Sequence, residues 1–382
     1  MIKQLLLAPG PTPVPARVRA ALARPVIHHR TPQFGEIFER VRGGLKELFG
    51  TQNDVLVLSS SGTGAMEASV VNCFSPGDEV LVVNGGKFGE RWGKLAVTYG
   101  LEPIELKVEW GRPVRVEAVA QAMSDHPDLR GILVQGSETS TTTCHPVEEI
   151  ARLTRDKDIL LAVDGITAVG VYQLPMDRWG IDILVTGSQK AMMLPPGLAA
   201  ISLSDRAWAR AESVEQPRFY FDLLKERAGQ AKNSTAYTPA ISLIYGLDES
   251  LAMMREEGFA ELYARHDRCA RATRAGVEAL SMRLLSPEAP SPAATGVFVP
   301  DGIDGKQLHG YLRDEMGVAF AGGQDQLKGK ILRIAHIGYI DVFDTIAAIA
   351  ALEMALEHFG HAVELGRGVG AAQRVLMSAL PE

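Results

Sequence analysis

The chain has 382 residues and a mass of 41.2 kDa, a length that suggests two or three domains around a large buried core. Its 39 basic and 46 acidic side chains give a formal net charge of −7, which argues against nucleic acid or an anionic membrane as the main partner. Apolar residues at 46% exclude wholesale disorder. No apolar run approaches the roughly 18–20 residues that cross a bilayer.

The three cysteines Cys73, Cys144 and Cys269 lie far apart and form no metal-binding pattern. Such a sparse, odd number is typical of a protein from a reducing compartment. The first residues, MIKQLLLAPGPTPVP, do not resemble a signal peptide, and the last, SALPE, match no sorting address. We therefore expect a cytoplasmic enzyme without a bound metal.

Short β-rich runs alternate with helical patterns through the first half of the chain. The predicted strands are 55–58, 79–83, 103–108, 131–134, 159–163, 183–186 and 199–203. The predicted helices between them are 65–74, 89–99, 116–123 and 147–157. Strands at this spacing with interleaved helices need crossover connections, so the pattern predicts a mostly parallel sheet with both faces covered.

The pattern changes after about residue 250. The predicted helices are then 251–280 with a break near Gly258, 306–316, and a closing helix at 342–359, with strands at 296–299 and 330–334. Ile346, Ile349, Leu352 and Leu356 share one face of that last helix. We predict a large α/β domain at 16–250, a smaller α+β domain at 251–382, and a separate N-terminal segment at 1–15.

A strand runs into a helix through small hydroxyl and glycine residues in VLSSSGTGAME, residues 57–67. Glycine allows close approach of the backbone, and the start of a helix offers free N–H groups with a partial positive charge. Together with the hydroxyls of Ser61 and Thr63 these groups form a cradle for phosphate. Simple helix capping is the alternative that fits this motif taken alone.

Two further strand ends each carry one ionisable side chain. Asp164 ends the run LLAVD, at the edge of a parallel sheet where ligands bind, although a turn or cap residue is an alternative. Lys190 follows the strand 183–186 in TGSQKAMMLPPG, a run without charged neighbours. Partial desolvation lowers the pKa of a lysine and frees its amine to attack a carbonyl, so Lys190 suits Schiff-base chemistry.

Arg333 stands inside the apolar strand ILRIA. An arginine in such a place needs an anionic partner, and its planar guanidinium suits the carboxylate of a substrate. A structural ion pair is the alternative.

A phosphate cradle, a strand-end acid, a Schiff-base lysine and a carboxylate-binding arginine are the parts that a pyridoxal-phosphate (PLP) enzyme requires. From LLLAPGPT at 5–12 to the strand of Arg333 and the final helix, the chain resembles the class V aminotransferases of PLP fold type I, most of all their alanine–glyoxylate and serine–pyruvate branch. The most specific motif is TGSQKA, followed by a proline-glycine turn. The resemblance implies an α/β large domain with a smaller C-terminal domain.

The resemblance also implies roles for individual residues. Lys190 would carry PLP as a Schiff base, and Asp164 would pair with the pyridine nitrogen and keep the ring an electron sink. The phosphate would be held by Gly62, Thr63 and Gln189, with Ser61 adjacent.

The rest of the cofactor site is implied in the same way. Phe88 would stack on the cofactor ring and Ile166 would cover its opposite face, whereas Trp92 is expected in the core. Ser140 matches a residue near the cofactor hydroxyl and the substrate carboxylate. Many relatives have glycine where this chain has Thr142, which leaves the conformation of that loop open.

Two segments are implied to complete the site. The N-terminal segment around Gly10 would line the substrate pocket beside Ser140 and Arg333. The loop 233–239 resembles one that reaches the phosphate of a neighbouring subunit, so a homodimer with shared active sites is expected. The candidates in that loop, whose register is open, are Thr235, Tyr237 and Thr238.

The predicted reaction moves an amino group from alanine, serine or aspartate to a 2-keto acid such as glyoxylate or pyruvate. A 2-aminoethylphosphonate transaminase is the main alternative. A cysteine desulfurase is disfavoured because it needs a mobile cysteine, and 319–326 contains none while Cys269 lies in a predicted helix. A non-catalytic scaffold is disfavoured because Lys190, Asp164 and Arg333 are all present. His28, His29 and Arg30 are expected in a surface turn.

Overall fold

The computed structural model describes residues 4–378, so residues 1–3 of the predicted N-terminal segment and 379–382 of the predicted small domain lie outside it. The described strands are β1 (Leu5–Leu6), β2 (Val55–Leu58), β3 (Glu79–Asn84), β4 (Glu102–Lys107), β5 (Gly131–Gln135), β6 (Ser137–Glu138), β7 (Thr143–Cys144), β8 (Leu160–Asp164), β9 (Ile183–Gly187), β10 (Ala199–Leu203), β11 (Ala294–Phe298), β12 (Val318–Ala319), β13 (Ala321–Gly322) and β14 (Ile331–Ala335).

The described helices are α1 (Ala16–Leu22), α2 (Pro32–Phe49), α3 (Gly62–Cys73), α4 (Lys87–Thr98), α5 (Val116–Asp125), α6 (Val147–Thr154), α7 (Met176–Trp179), α8 (Asp205–Ser213), α9 (Leu223–Gln230), α10 (Ile241–Glu257), α11 (Phe259–Ala279), α12 (Gly305–Asp314), α13 (Val342–His358) and α14 (Arg367–Met377). None of these helices is both long enough and apolar enough to cross a membrane. The cytoplasmic location stays a prediction.

The central sheet has seven strands in the order β2-β10-β9-β8-β5-β3-β4. Only β10 runs antiparallel to its neighbours, which confirms the predicted mostly parallel sheet. Along β8, Leu161 and Val163 face one hydrophobic core, and Leu160 and Ala162 face the other. The apolar run of this strand therefore reflects burial of the sheet on both faces.

A second, smaller core forms around a three-stranded antiparallel sheet in the order β11-β14-β13. Helices α11, α13 and α14 pack together beside it. The N-terminal strand β1 pairs with β12, and Leu7 is buried in this same core. The predicted boundary after residue 250 falls inside α10, which packs on α1 and α2 of the larger unit. The exact division of the chain into domains stays a prediction.

Six helices have no counterpart in the sequence-based expectations: α1, α2, α7, α8, α9 and α14. The helix at 342–359 is therefore wrong as the closing element, because α14 follows it and buries Ala372 and Leu376. Two glycines weaken the helical signal of α14. The buried carboxylate of Glu353 stabilises its start by accepting backbone N–H groups of Gly366, Gly368 and Val369 at 2.6–3.0 Å.

Candidate active site

The carboxyl ends of the parallel strands bring the predicted residues to one edge of the sheet. Asp164 ends β8, and the turn with Gln189 and Lys190 follows β9. A Cβ built on Gly187 would lie 3.3 Å from the backbone nitrogen of Gly62, so the start of α3 lies against this turn. Residues far apart in sequence therefore meet where ligands bind in such sheets.

The amine of Lys190 lies against the N-terminal segment. Its Nζ donates a hydrogen bond of 2.6 Å to the carbonyl oxygen of Pro9. Gly10 has a φ of +128°, and a Cβ there would overlap the Lys190 side chain, so both conformation and space require glycine. Thr12 holds the same turn, since its hydroxyl donates to the Lys190 carbonyl at 2.8 Å and its N–H to the Gln189 carbonyl at 3.1 Å.

Burial lowers the pKa of Lys190 to about 8, while the negative charge of Asp164 opposes the shift. The neutral amine, which is the nucleophile, is thus available near neutral pH. Nearby Arg333 and Arg91 lower this pKa further, which places both guanidinium groups within electrostatic reach of the amine.

Asp164 is buried beneath this edge of the sheet. Burial raises its pKa to about 7, and the positive charges of Arg91 and Lys190 oppose the rise. Oδ1 accepts the N–H of Ile166 at 2.8 Å, and Oδ2 has no hydrogen-bond partner among residues 4–378. One carboxylate oxygen is therefore free to pair with a protonated nitrogen of a ligand.

The start of α3 has the features of an anion cradle. Ser61 makes no side-chain cap, which leaves the first N–H groups of the helix free for a ligand. The hydroxyl of Thr63 accepts a 2.9 Å hydrogen bond from Nη1 of Arg91 and can still donate its own proton. The amide oxygen of Gln189 is buried without a partner in the described part of the chain.

Phe88 and Ser140 both contact the buried carboxylate of Glu138. Glu138 accepts the N–H of Phe88 at 3.0 Å and a hydrogen bond from the Ser140 hydroxyl. That hydroxyl in turn accepts the N–H of Lys87 at 3.0 Å. The guanidinium of Arg91 lies 4.8 Å from the centre of the Phe88 ring. Trp92 is fully buried in the core, as predicted.

Arg333 is only 7% exposed and is held by backbone carbonyls. Nε donates to Gly322 at 3.0 Å and Nη1 to Thr139 at 2.9 Å. Burial lowers the pKa of Arg333 to about 10, although the charge of Glu138 raises it. No carboxylate between residues 4 and 378 forms a salt bridge with Arg333, so the structural ion pair left open by the sequence is not formed there. Its Nη2 remains free for a ligand.

Thr142 adopts the left-handed conformation, with a φ of 54°. That conformation is costly for a β-branched side chain and explains why glycine suits this position. The Thr142 hydroxyl donates to the Thr141 carbonyl at 2.7 Å and accepts the N–H of Gly296 at 3.0 Å. These hydrogen bonds hold the loop against β11 and offset the strain.

The candidates in the loop 233–239 make no hydrogen bond to Lys190 in the described part of the chain. Thr235, Tyr237 and Thr238 line a surface pocket with Ser59, at the end of β2. The Tyr237 hydroxyl donates to the Phe219 carbonyl at 2.7 Å. His28 and Arg30 are exposed and His29 is half-buried in the turn before α2, as expected for a surface turn.

Sequence reasoning missed three residues of this site: Thr12, Arg91 and Glu138. Thr12 contacts the turn of Lys190 through its hydroxyl and its backbone N–H, and a single threonine beside prolines is not a distinctive signal in the sequence. Arg91 and Glu138 could have been found. Arg91 lies three positions after Phe88, on the same side of a helix. Glu138 is a lone acid within a run of small and hydroxyl residues.

The comparisons with known proteins agree with this geometry. Residues 11–334 match the family model "Aminotransferase class-V". The chain is 40% identical to the "Soluble hydrogenase, small subunit" of Synechococcus sp. strain PCC 6716, over 99% of both chains. It is 36% identical to the L-aspartate–glyoxylate aminotransferase of Paracoccus denitrificans, over 96% of this chain and 95% of that one. The ureidoglycine–glyoxylate aminotransferase of Bacillus subtilis superposes with a TM-score of 0.94 at 28% identity, over 99% of both chains.

The chain therefore belongs to the class V aminotransferases and has PLP fold type I. It is a PLP-dependent aminotransferase. Cysteine desulfurases from Thermococcus onnurineus and Escherichia coli are 13% and 16% identical to this chain and share its fold alone.

The residues present fit this cofactor. Two groups match polar parts of PLP: Nζ of Lys190 donates only to the Pro9 carbonyl, and Oδ2 of Asp164 has no hydrogen-bond partner in residues 4–378. The uncapped start of α3 adds N–H donors for a phosphate. The part of each residue in binding and catalysis stays a prediction.

We expect the rate of PLP capture by the cofactor-free protein to rise with pH and to reach half its maximum near pH 8. In the predicted role the neutral Lys190 amine would attack the aldehyde, and burial lowers the pKa of this amine to about 8 from its ordinary 10.5. Asp164→Asn should shift the midpoint lower, because the Asp164 charge raises the Lys190 pKa. Stopped-flow absorbance measures the rate, and a rate that keeps rising tenfold per unit through pH 10 contradicts the assignment.

Proposed function

We propose that the protein transfers the amino group of aspartate, serine or alanine to a 2-keto acid, glyoxylate or pyruvate, with Lys190, Asp164 and Arg333 as the principal residues. The observation that carries this proposal is the buried guanidinium of Arg333, which has a free edge and lies within electrostatic reach of the Lys190 amine. A carboxylate bound there would present an α-amino group to the lysine. The two aminotransferase relatives described above share glyoxylate in their names, which supports it as the acceptor.

Each residue then has a defined task. When bound, PLP would supply the electron sink for charge that develops at the substrate Cα. Nζ of Lys190 would take the proton from Cα and return it, and the Pro9 carbonyl would direct the amine by accepting one of its hydrogens. Oδ2 of Asp164 would hold the proton on the ring nitrogen. Arg333 would fix the carboxylate through two parallel hydrogen bonds.

The two alternative functions require different groups in this site. A 2-aminoethylphosphonate transaminase would place a phosphonate on the same guanidinium, which binds phosphates as well as carboxylates, so the choice of donor separates the two functions. A desulfurase needs a mobile cysteine, and Cys269 is fully buried on α11.

The experiment is a screen of alanine, serine, aspartate, glutamate and 2-aminoethylphosphonate as donors, with glyoxylate, pyruvate and 2-oxoglutarate as acceptors. We expect the highest kcat/KM for a small α-amino acid with glyoxylate or pyruvate. The highest kcat/KM for 2-aminoethylphosphonate, or release of sulfide from cysteine, contradicts the proposal.

We expect Arg333→Ala to lower kcat/KM for alanine and serine by about one to three orders of magnitude. The substitution leaves the substrate carboxylate unpaired in a partly dry pocket, which costs about 2–4 kcal/mol. Arg333→Lys should recover little of this loss, because an ammonium cannot reproduce the planar fork. The absorbance of bound PLP should stay nearly unchanged in both variants. Loss of PLP together with unchanged substrate constants in the remaining holoenzyme means that Arg333 has a structural role only.

The active unit that we propose is a homodimer in which the loop 233–239 completes the site of the partner. An exposed aromatic cluster supports this, because Phe219 is 75% and Tyr220 48% exposed. The Tyr220 ring stacks on Tyr237 with 5.2 Å between centroids, and Lys225 lies over the rings of Phe219 and Tyr237. Monomeric proteins rarely leave such patches uncovered.

For this dimer, sedimentation is expected to give about twice 41.2 kDa. Inactive Lys190→Ala chains mixed with inactive chains carrying a deletion of 235–238 should regain part of the parent activity, because each hybrid has one complete site. A fully active monomer, or no recovery in verified hybrids, contradicts shared sites.

A further inference from the structure

We propose that Glu138 is a positioning residue that fixes two sides of the active site at once, the start of α4 with Phe88 and the turn with Ser140. This inference rests on the proposed function, since it concerns how the same site is held in place. Nothing in the reaction described above uses Glu138 directly.

Glu138 takes the place of a helix cap for α4. Gly86, the residue at the N-cap position, has no side chain to satisfy the first N–H groups. Oε2 of Glu138 accepts the N–H groups of Phe88 and Gly89, both at 3.0 Å. A Cβ on Gly86 would overlap the Glu138 carboxyl group, so glycine is what lets this distant carboxylate reach the helix.

The other oxygen of the same carboxylate holds the opposite side of the site. Oε1 accepts the N–H of Ser140 at 3.1 Å and also a hydrogen bond from the Ser140 hydroxyl. The two oxygens thus receive four hydrogen bonds, which fill the capacity of an ionised carboxylate. Burial raises the pKa of Glu138, and these four donors oppose the rise. A proton on either oxygen would displace one of the donors, so the ionised form fits the geometry.

The buried charge also faces the two ionisable groups expected to bind cofactor and substrate. Glu138 raises the pKa of Arg333 and of Asp164, which shows that both lie within its electrostatic reach. Glu138 is fully buried, and no cation forms a salt bridge with it in the described part of the chain. Burying a carboxylate without a cation costs free energy unless the carboxylate is fully hydrogen-bonded. The four donors are therefore needed to keep Glu138 buried as a charged group.

Glu138→Gln separates the two tasks. The amide oxygen can still accept from Phe88 and Gly89, while the amide nitrogen then faces the N–H of Ser140 and cannot accept from it. We expect the affinity for PLP to stay within about threefold of the parent. We expect kcat/KM to fall about 10- to 100-fold, because Ser140 loses two hydrogen bonds to a charged acceptor. Glu138→Ala should also free the start of α4 and weaken PLP binding at least about tenfold. Glu90→Gln, on the same helix, is the matched control and should change neither quantity.

A double-mutant cycle with Ser140→Ala tests whether the effect passes through Ser140. We expect Ser140→Ala to cost at least about tenfold in kcat/KM in the parent and less than about threefold in the Glu138→Gln background. Additive effects, or parent-like kcat/KM in Glu138→Gln, overturn the proposal.

A second measurement does not depend on turnover. The visible circular dichroism of bound PLP should change in Glu138→Gln and in Ser140→Ala alike, and should change no further when the two are combined. If the parent catalyses no transamination, the proposed function fails on its own. This spectroscopic cycle then decides the role of Glu138, since an unchanged or additive spectrum overturns it.

Discussion

Lys190→Ala is expected to abolish transamination while the protein stays folded. In the proposed mechanism the substitution removes both the nucleophile that would capture PLP and the base that would move the Cα proton. Among residues 4–378 the amine makes one hydrogen bond, to the Pro9 carbonyl, so its loss should change the free energy of unfolding by no more than about 1.5 kcal/mol. Activity, borohydride trapping of bound PLP and thermal unfolding together measure these effects.

The control for this variant is Lys94→Ala, which removes an exposed lysine from α4 and should leave turnover unchanged. Retained turnover in Lys190→Ala, with the full yellow colour of bound PLP, is incompatible with Lys190 as the Schiff-base residue.

Asp164→Asn should still bind PLP but lose about two to four orders of magnitude in kcat, the range typical of a removed acid–base partner. A neutral amide no longer favours the protonated pyridine nitrogen, so the ring loses much of its capacity to accept electrons. Stopped-flow measurement of the first half-reaction reports this step directly.

Asp182→Asn provides the comparison, because Asp182 is also buried but accepts hydrogen bonds from Leu161 and Ser204 instead of facing Lys190. We expect that variant to lose stability and to keep kcat within about twofold of the parent. A parent-like rate in Asp164→Asn means that another group pairs with the ring.

The strands of the central sheet were predictable because their signal is local. Val55–Leu58, Gly131–Gln135 and Ala199–Leu203 are short β-branched and aliphatic runs between turn signals, and the structure has them within a residue of the predicted bounds. The antiparallel direction of β10 could not be read from the sequence. Direction depends on which connections cross the sheet, and an apolar run is the same in both directions.

Helix α14 and the cap of α4 could not be predicted from the sequence, for a different reason. Each begins with glycine-rich sequence, and each is stabilised by a buried glutamate from elsewhere in the chain, Glu353 for α14 and Glu138 for α4. Local propensity disfavours such helices, and tertiary hydrogen bonds override it. Motifs such as TGSQKA predicted candidate residues that the structure brings to one edge of the sheet, whereas the side chains that hold them in place depend on contacts between distant segments.

The measurement that tests the central claim most directly is a single half-reaction. The PLP-loaded protein is mixed with excess aspartate, serine or alanine without a keto acid, and both the cofactor absorbance and the released keto acid are followed. We predict one equivalent of keto acid per Lys190, loss of the yellow absorbance, and full return of that absorbance when glyoxylate or pyruvate is added. Continued release of product beyond one equivalent without an acceptor, or no change of the cofactor with any of these donors, contradicts transamination.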